Sequence, residues 1–484
     1  MRKLCAVLVL AFFSAYLDAG IETPKVTTDK SYDVSTMASI IKSVVKPEMT
    51  NDEKAIAIYD FCRTAFYHFR YPAEENAGIG PLKDINVYGW SLCGGLHTVL
   101  GELYKEAGFK YRYRGWSNPG HTTIEVFYDG KWHYLDTFLC FYAWDRDRKT
   151  LVGQDDIKED ASLALKAAEE KRGPPNILSC GDTAEGVVSG VNSSTVATGW
   201  GGPIAQTDGE YNTDFTLMRG ESLELKWGRE SEKSFYGYFE TNFPFPQHTC
   251  NIKDFRSHPV QGPILEHYGQ RCFANGRLTY SPDLTNAAFT EDLLKNENLK
   301  IDGGKLLPAE TGKPLILIFK MACPYVIVDS KVSVDFTEED AGNKVEYASS
   351  LDGKWEDVSS LAEKVKGTYV YFVKISTVKG IKALKAVSVV QHNRSVQPFL
   401  INGENKASVT VKNAASLGKN KLLVSYAFEE AAAKQDRKQF NGKDIEYSAE
   451  KAVTKEIDKS PFDFSIYVGG NTPPKMKYLR YEVR

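Results

Sequence analysis

The sequence predicts an α+β chain: a helix-containing first third followed by two or three β-sandwich-like domains. Three observations carry that expectation. Apolar residues recur at helical spacing between about residues 34 and 107. They alternate in strand fashion from 110 to 137, and again beyond about 203. The 484 residues include 26 Tyr and 25 Phe, whose flat rings pack well on pleated, half-buried surfaces. At typical domain size this length accommodates about two to four domains.

The first segment reads as an export signal. Arg2 and Lys3 precede an apolar run from Leu4 to Phe13, and small residues follow, with Ala19 the expected last residue before cleavage. That order makes 1–19 a signal peptide and the mature protein secreted or periplasmic. The run is too short for a comfortable membrane span, an N-terminal anchor being the alternative, and no later stretch reaches the ~18 apolar residues a span needs. The net charge of −3 gives no sign of a polyanion-binding surface, so no nucleic-acid partner is expected.

A first folded domain is expected over 20–180. Met37, Ile40, Ile41 and Val44 have helical spacing. Thr50 and Glu53 form a capping box that opens a helix to about Phe69, on which Cys62 is a core thiol. A second helix is expected from about Leu92 to Ala107, with Gly108 as its C-terminal cap. Strands follow at Lys110–Trp116, Thr122–Tyr128 and Lys131–Thr137, then a surface helix at Asp155–Arg172 with a thin face of Ala161, Leu165 and Ala168. Residues 181–202, rich in Gly, Ser and Thr, read as a linker. Strand-like runs beyond it divide into a β-rich domain at 203–305, a β-sandwich at 306–395 and a C-terminal β-sandwich at 396–484.

Of eight cysteines, Cys5 leaves with the signal, and seven remain. An odd number in an exported chain leaves at least one thiol unpaired. Cys250 and Cys272 are spaced for a disulfide in a loop-rich stretch. No CxxC or HExxH pattern suggests zinc. Asp145 and Asp147 alternate with Arg146 and Arg148, which reads as a solvated charge cluster rather than a calcium loop. No metal and no cofactor are expected.

Cys93 is the candidate nucleophile. Ser91 is placed to cap the following helix, which puts Cys93 in the first turn, where free amides and the helix dipole favour a thiolate. Gly94 and Gly95 leave room for a substrate acyl group; close helix packing explains them equally well. The second element is a hairpin. Asp129-Gly130 between alternating runs sets a two-residue turn, which pairs Tyr128 with Lys131, Phe127 with Trp132, Val126 with His133 and Glu125 with Tyr134. Continuing that register pairs Ile124 with Leu135 and Thr123 with Asp136. His121 then lies diagonal to Asp136 on one face, about 7–8 Å away at the backbone. A carboxylate there can orient an imidazole and stabilise its charged form. His133 falls on the opposite face and reads as structural or exposed. His97, one turn after Cys93, has no evident carboxylate partner and reads as a polar flank of the helix.

These residues together resemble the transglutaminase-like superfamily, a papain-type thiol fold. The pattern is Cys93, Ala107-Gly108, Arg112 and Arg114, His121, Glu125-Val126, Asp129-Gly130, Trp132 and Leu135-Asp136, within a motif core of about residues 50–140. The segment Asn86–Gly94 resembles exported bacterial members that carry C-terminal β-sandwich modules. The resemblance implies a Cys93–His121–Asp136 catalytic triad, thiolate attack on an amide carbonyl, and a thioester resolved by water or by an amine. It leaves peptidase, amidase and transamidase open, acting on a peptide or protein substrate. Ser91, Gly94 and His97 depart from the common pattern and bear on specificity and the oxyanion arrangement. For the oxyanion, the Cys93 amide is one donor and the Trp90 indole a second candidate. The alternative is a non-catalytic surface or matrix-binding protein that keeps the fold as a scaffold. In the β-rich half, Ser350, Asp352, Gly353 and Trp355 resemble a hairpin of sugar-binding-like β-sandwiches. Turn chemistry explains them without a ligand, and Trp355 is the residue on which a carbohydrate or cell-surface ligand would stack.

Overall fold

Thr50 accepts a hydrogen bond from the Glu53 amide, and Glu53 returns one to the Thr50 amide, so the expected capping box starts a helix over Asn51–Ala65 (α2). A shorter helix, Met37–Val44 (α1), precedes it. Both belong to a computed structural model that describes residues 20–68, 71–72, 74, 79–175, 177–178, 182–198, 204–228, 235, 273–340, 342–431, 447–470 and 473–484. The expected signal peptide, Cys180 and the Cys250–Cys272 pairing lie outside the described residues. Among the described residues, no helix is long and apolar enough to cross a membrane.

The chain is α+β. After α2 come two short strands, Tyr67–His68 (β1) and Trp90–Ser91 (β2), that pair in parallel. Between them a helical turn at Pro81–Lys83 continues into a π-helical turn at Asp84–Tyr88. The main helix of the unit, Cys93–Glu106 (α3), follows β2. An antiparallel sheet then forms from Lys110–Ser117 (β3), Gly120–Tyr128 (β4), Lys131–Asp136 (β5), Phe141–Tyr142 (β6) and Ser194–Ala197 (β7), in the order β6-β5-β4-β3-β7.

The sheet separates two apolar layers. On one face Tyr113, Ile124, Val126 and Leu135 join Ile58, Phe61, Val99 and Leu103 of the helices. On the other, Trp116 and Tyr134 join Ile157, Leu163, Val187 and Val191. Fully burying each such side chain contributes roughly 1.5–3 kcal/mol. Where Asp155–Arg172 was expected as one helix, two short ones form, Gln154–Glu159 (α4) and Ser162–Leu165 (α5). Asp160 breaks them apart, because its Oδ1 accepts from the Ser162 amide at 3.1 Å and hydroxyl at 2.7 Å. Leu163 and Ala164 are buried, while Leu165, expected inside, is exposed.

The expected linker also contains structure. Thr183 caps a helix over Ala184–Asn192 (α6). The small residues in it serve close packing rather than flexibility: a Cβ on Gly190 would sit 1.9 Å from the Trp116 ring.

The β-rich half is not three separate sandwiches in sequence. Its largest sheet runs Leu299–Asp302, Lys305–Pro308, Ile381–Asn393, Phe273–Tyr280, Glu221–Lys226, Lys475–Val483, Leu422–Glu429, Lys451–Ile457, with Val326–Phe336 also paired to Ile381–Asn393. Strands from either side of the expected boundaries at 305 and 395 therefore hydrogen-bond to one another. A five-stranded sheet carrying Phe319 and Val373 and a three-stranded sheet carrying Val409 and Ile466 share one continuous core with the large sheet. The three-stranded sheet includes Lys25–Thr28 from the start of the described chain. The physical reason is non-local: a strand's neighbour is set by which apolar faces remain to be covered, and turn signals do not reveal it.

Candidate active site

Residue by residue, the hairpin matches its predicted register from Tyr128–Lys131 to Glu125–Tyr134. Beyond that point β5 leaves β4, and Leu135 and Asp136 pair instead with Tyr142 and Phe141. The divergence opens the end of the hairpin without separating its functional pair. His121 Nε2 donates to Asp136 Oδ2 at 2.7 Å. Asp136 is fully buried and also accepts from the Tyr134 hydroxyl at 2.9 Å and the Phe138 and Leu139 amides at 3.0 and 2.8 Å. Burial opposes its charge, but His97 and His121 hold its carboxyl well below the usual range.

Cys93 opens α3, as the sequence suggested, but the cap differs. The N-cap residue is Leu92, which makes no side-chain bond, and Ser91 lies in β2 with its hydroxyl buried. The first-turn amides are thus left without a side-chain cap. Gly95 does not open space for an acyl group: a Cβ there would lie 1.9 Å from Ser91 Oγ and 2.8 Å from Ile204. It permits β2 and α3 to pack closely.

The structure brings Cys93 and His121 together. Burial pushes the thiol up, but hydrogen bonds from His121 and His68, the His121 charge and the Thr122 amide outweigh it, taking it from 9.0 to about 5. Desolvation works against charge on His121, yet Asp136 and the Cys93 sulfur raise it to about 10. Near neutral pH the pair is a thiolate and an imidazolium. Since Nε2 is engaged by Asp136, Nδ1 is the ring nitrogen left for the sulfur. Trp116 and Phe138 hold the imidazole in place, with ring centroids 5.0 and 5.6 Å away.

Two further histidines belong to the site. His68, which sequence reasoning missed, reaches the sulfur because β1 pairs with β2 in parallel and sets it beside Ser91. His97, expected to lack a carboxylate partner, has its Nε2 3.4 Å from Asp136 Oδ1, both side chains fully buried. Its Nδ1 donates to the Cys93 carbonyl at 2.7 Å. His133 is structural: it is buried, stacks on Tyr128 at 3.7 Å and bonds the Leu151 carbonyl at 2.8 Å. Trp90 is 1% exposed, with its ring packed against Tyr88 and Phe273.

Other residues of the motif are tied into the supporting structure. Arg112 donates to Glu125 at 2.8 Å, lies over the Trp132 ring, and with Arg114 pairs Asp155. Cys62, Cys140 and Cys323 are buried, and Cys93 is partly exposed. Burial pushes the Cys62 and Cys323 thiols up, the latter to about 12, so neither competes as a nucleophile.

Nitrogen and oxygen atoms of His97, His121 and Asp136 lie within 4.8 Å of one another, a donor set that suits a divalent cation. An ion there would have to replace the proton that His121 shares with Asp136. Comparison with protein-family models, curated proteins and solved structures finds no match for this chain.

Proposed function

We propose that the protein is an exported cysteine-nucleophile acyl-transfer enzyme of transglutaminase-like, papain-type architecture, acting on amide bonds of peptides or proteins in a secreted or periplasmic setting. The observation that carries the reading is the Cys93 thiol held at about 5 beside His121, whose far nitrogen is bonded to a buried Asp136. In this reading the thiolate attacks the amide carbonyl carbon, a C–S bond forms, and the carbonyl electron pair moves onto oxygen. On collapse the C–N bond breaks and the leaving amine takes a proton from His121. Water or an amine then attacks the thioester carbonyl, with His121 taking the proton of the incoming group, and on collapse the C–S bond breaks and the Cys93 thiolate is restored. Asp136 stays ionised and fixes the imidazole's orientation.

The test is turnover of a peptide and glutamine-amide library, with and without an added primary amine. Product formation abolished by Cys93→Ala supports the reading, and the amine dependence assigns hydrolysis or transamidation. A second reading, a non-catalytic surface or matrix-binding protein, is favoured by one observation. A cleft of about 1090 Å³ is lined by Lys83, Asp208, Tyr211, Lys320 and Tyr369 and does not include Cys93. An intact chain that turns over nothing in the library while binding a surface glycan or matrix protein would favour that alternative.

A further inference from the structure

Acyl transfer makes two simultaneous demands for hydrogen-bond donors: one for the developing oxyanion and one for the leaving amine. A single imidazole facing the sulfur cannot meet both. His121 has Nε2 on Asp136 at 2.7 Å and only Nδ1 for the reacting atoms. The second imidazole at the sulfur is His68. We propose that His68 is a catalytic residue of this site, donating to the oxyanion of the tetrahedral intermediate while His121 protonates the leaving group. This rests on the acyl-transfer reading above.

The placement is a property of the backbone. Parallel pairing of Tyr67–His68 with Trp90–Ser91 makes His68 the Cα partner of Ser91, two residues before the nucleophile. The ring plane is set by stacking on Phe138, with centroids 3.8 Å apart and planes 27° apart. Phe138 is itself fixed, because its amide donates to Asp136 at 3.0 Å. One residue thus supports both imidazoles: its ring stacks under His68 and also touches His121. His68 is partly exposed, so it can meet a substrate atom, whereas Trp90 is 1% exposed and packed between aromatic rings. With no substrate present the His68 donor rests on the sulfur; when a carbonyl carbon bonds to that sulfur, the carbonyl oxygen arrives beside the same donor.

The experiment compares two probes on the full chain. Iodoacetamide alkylates the thiolate with loss of iodide and creates no oxyanion. N-acetylglycinal adds the thiolate to its aldehyde carbon, and the carbonyl electron pair becomes a hemithioacetal oxyanion. For His68→Ala, the high-pH alkylation plateau is expected to stay within about threefold of the parent, while aldehyde affinity falls about 10²–10³-fold. His68→Gln, which restores an N–H donor, is expected to recover at least tenfold of that loss. Unchanged aldehyde affinity in His68→Ala overturns the proposal. So does an equal loss of alkylation and aldehyde binding in both variants, which marks a structural role. A parent protein that alkylates normally at Cys93 but binds no aldehyde and turns over no amide overturns the acyl-transfer reading, and this proposal with it.

Discussion

Replacing His121 with Ala should move the titration of Cys93 upward by several pH units. The perturbation removes the His121 hydrogen bond to the sulfur and the imidazolium charge, leaving burial, which opposes the thiolate, only partly offset by His68 and the Thr122 amide. The magnitude also decides how the assay must be run. A thiol lowered from 9.0 to about 5 has about 2,000-fold more thiolate at pH 5.5 than an ordinary one, with three-quarters of it ionised. Nucleophilicity falls with basicity at a Brønsted slope of about 0.4–0.5, which returns a factor of about 60. The net advantage over a model thiol is therefore about 40-fold at pH 5.5, and at pH 9 the model thiol is the faster by roughly 30-fold. A single rate at neutral pH cannot distinguish the two; the inflection can. Alkylation by iodoacetamide, followed by mass mapping of Cys93 from pH 4 to 10, should give an inflection near pH 5 in the parent. His121→Ala should show it above about pH 7, with a rate at pH 5.5 at least about threefold lower once the gain in nucleophilicity is counted. A parent inflection near 8–9, or a variant that keeps an inflection near 5, would refute the ion-pair argument.

Three further outcomes follow from the same contacts. Asp136→Asn should destabilise the fold at neutral pH by about 3–5 kcal/mol in chemical denaturation, because it breaks a buried charged network. Since burial is outweighed and the folded carboxyl is held below its unfolded value, the charge-dependent stability is present above that value and is lost as pH falls through the folded one. The gap between parent and variant should therefore narrow below about pH 4. Asn393→Ala removes donors to the Ala65 and Ile85 carbonyls at 2.9 and 2.8 Å, and should lower stability by about 1–3 kcal/mol and slow Cys93 alkylation; an unchanged melting temperature would contradict this. Gly95→Ala should cost about 1–3 kcal/mol from overlap with Ser91, and adding Ser91→Gly should recover part of it, measured as a non-additive double-mutant cycle.

The parts of the site legible in the sequence were those set by local chemistry. Asp129-Gly130 dictates a tight turn, the turn dictates register, and register put His121 and Asp136 on one face with His133 on the other. Thr50 and Glu53 announced a helix for the same reason. What could not be read was set by distant partners. His68 reaches Cys93 through a parallel ladder only two residues long, between strands more than twenty residues apart, and such a ladder leaves no alternation to detect. The carboxylate near His97 is a residue already assigned to His121, so a one-partner scheme overlooked it. Glycine and serine around 184–192 read as a linker because composition does not tell a flexible stretch from a helix packed against a tryptophan. The order of strands in the β-rich half is likewise decided by which faces are left uncovered, and no single strand declares that.

Asn393 stands at the end of the long strand Ile381–Asn393, yet it hydrogen-bonds the last turn of α2 and the π-helical turn that leads to the nucleophile. Gly89, in that same connection at φ 74°, has no room for a side chain because a Cβ would lie 2.6 Å from the Asn393 amide group. The segment carrying the nucleophile is therefore seated by a residue more than three hundred positions downstream of it. During synthesis, a chain that has emerged only as far as its helices holds every member of the thiol site but not the surface that seats them. Reactive sulfur is thus tied to completion of the β-rich half, so a prematurely ended product carries the thiol without its geometry.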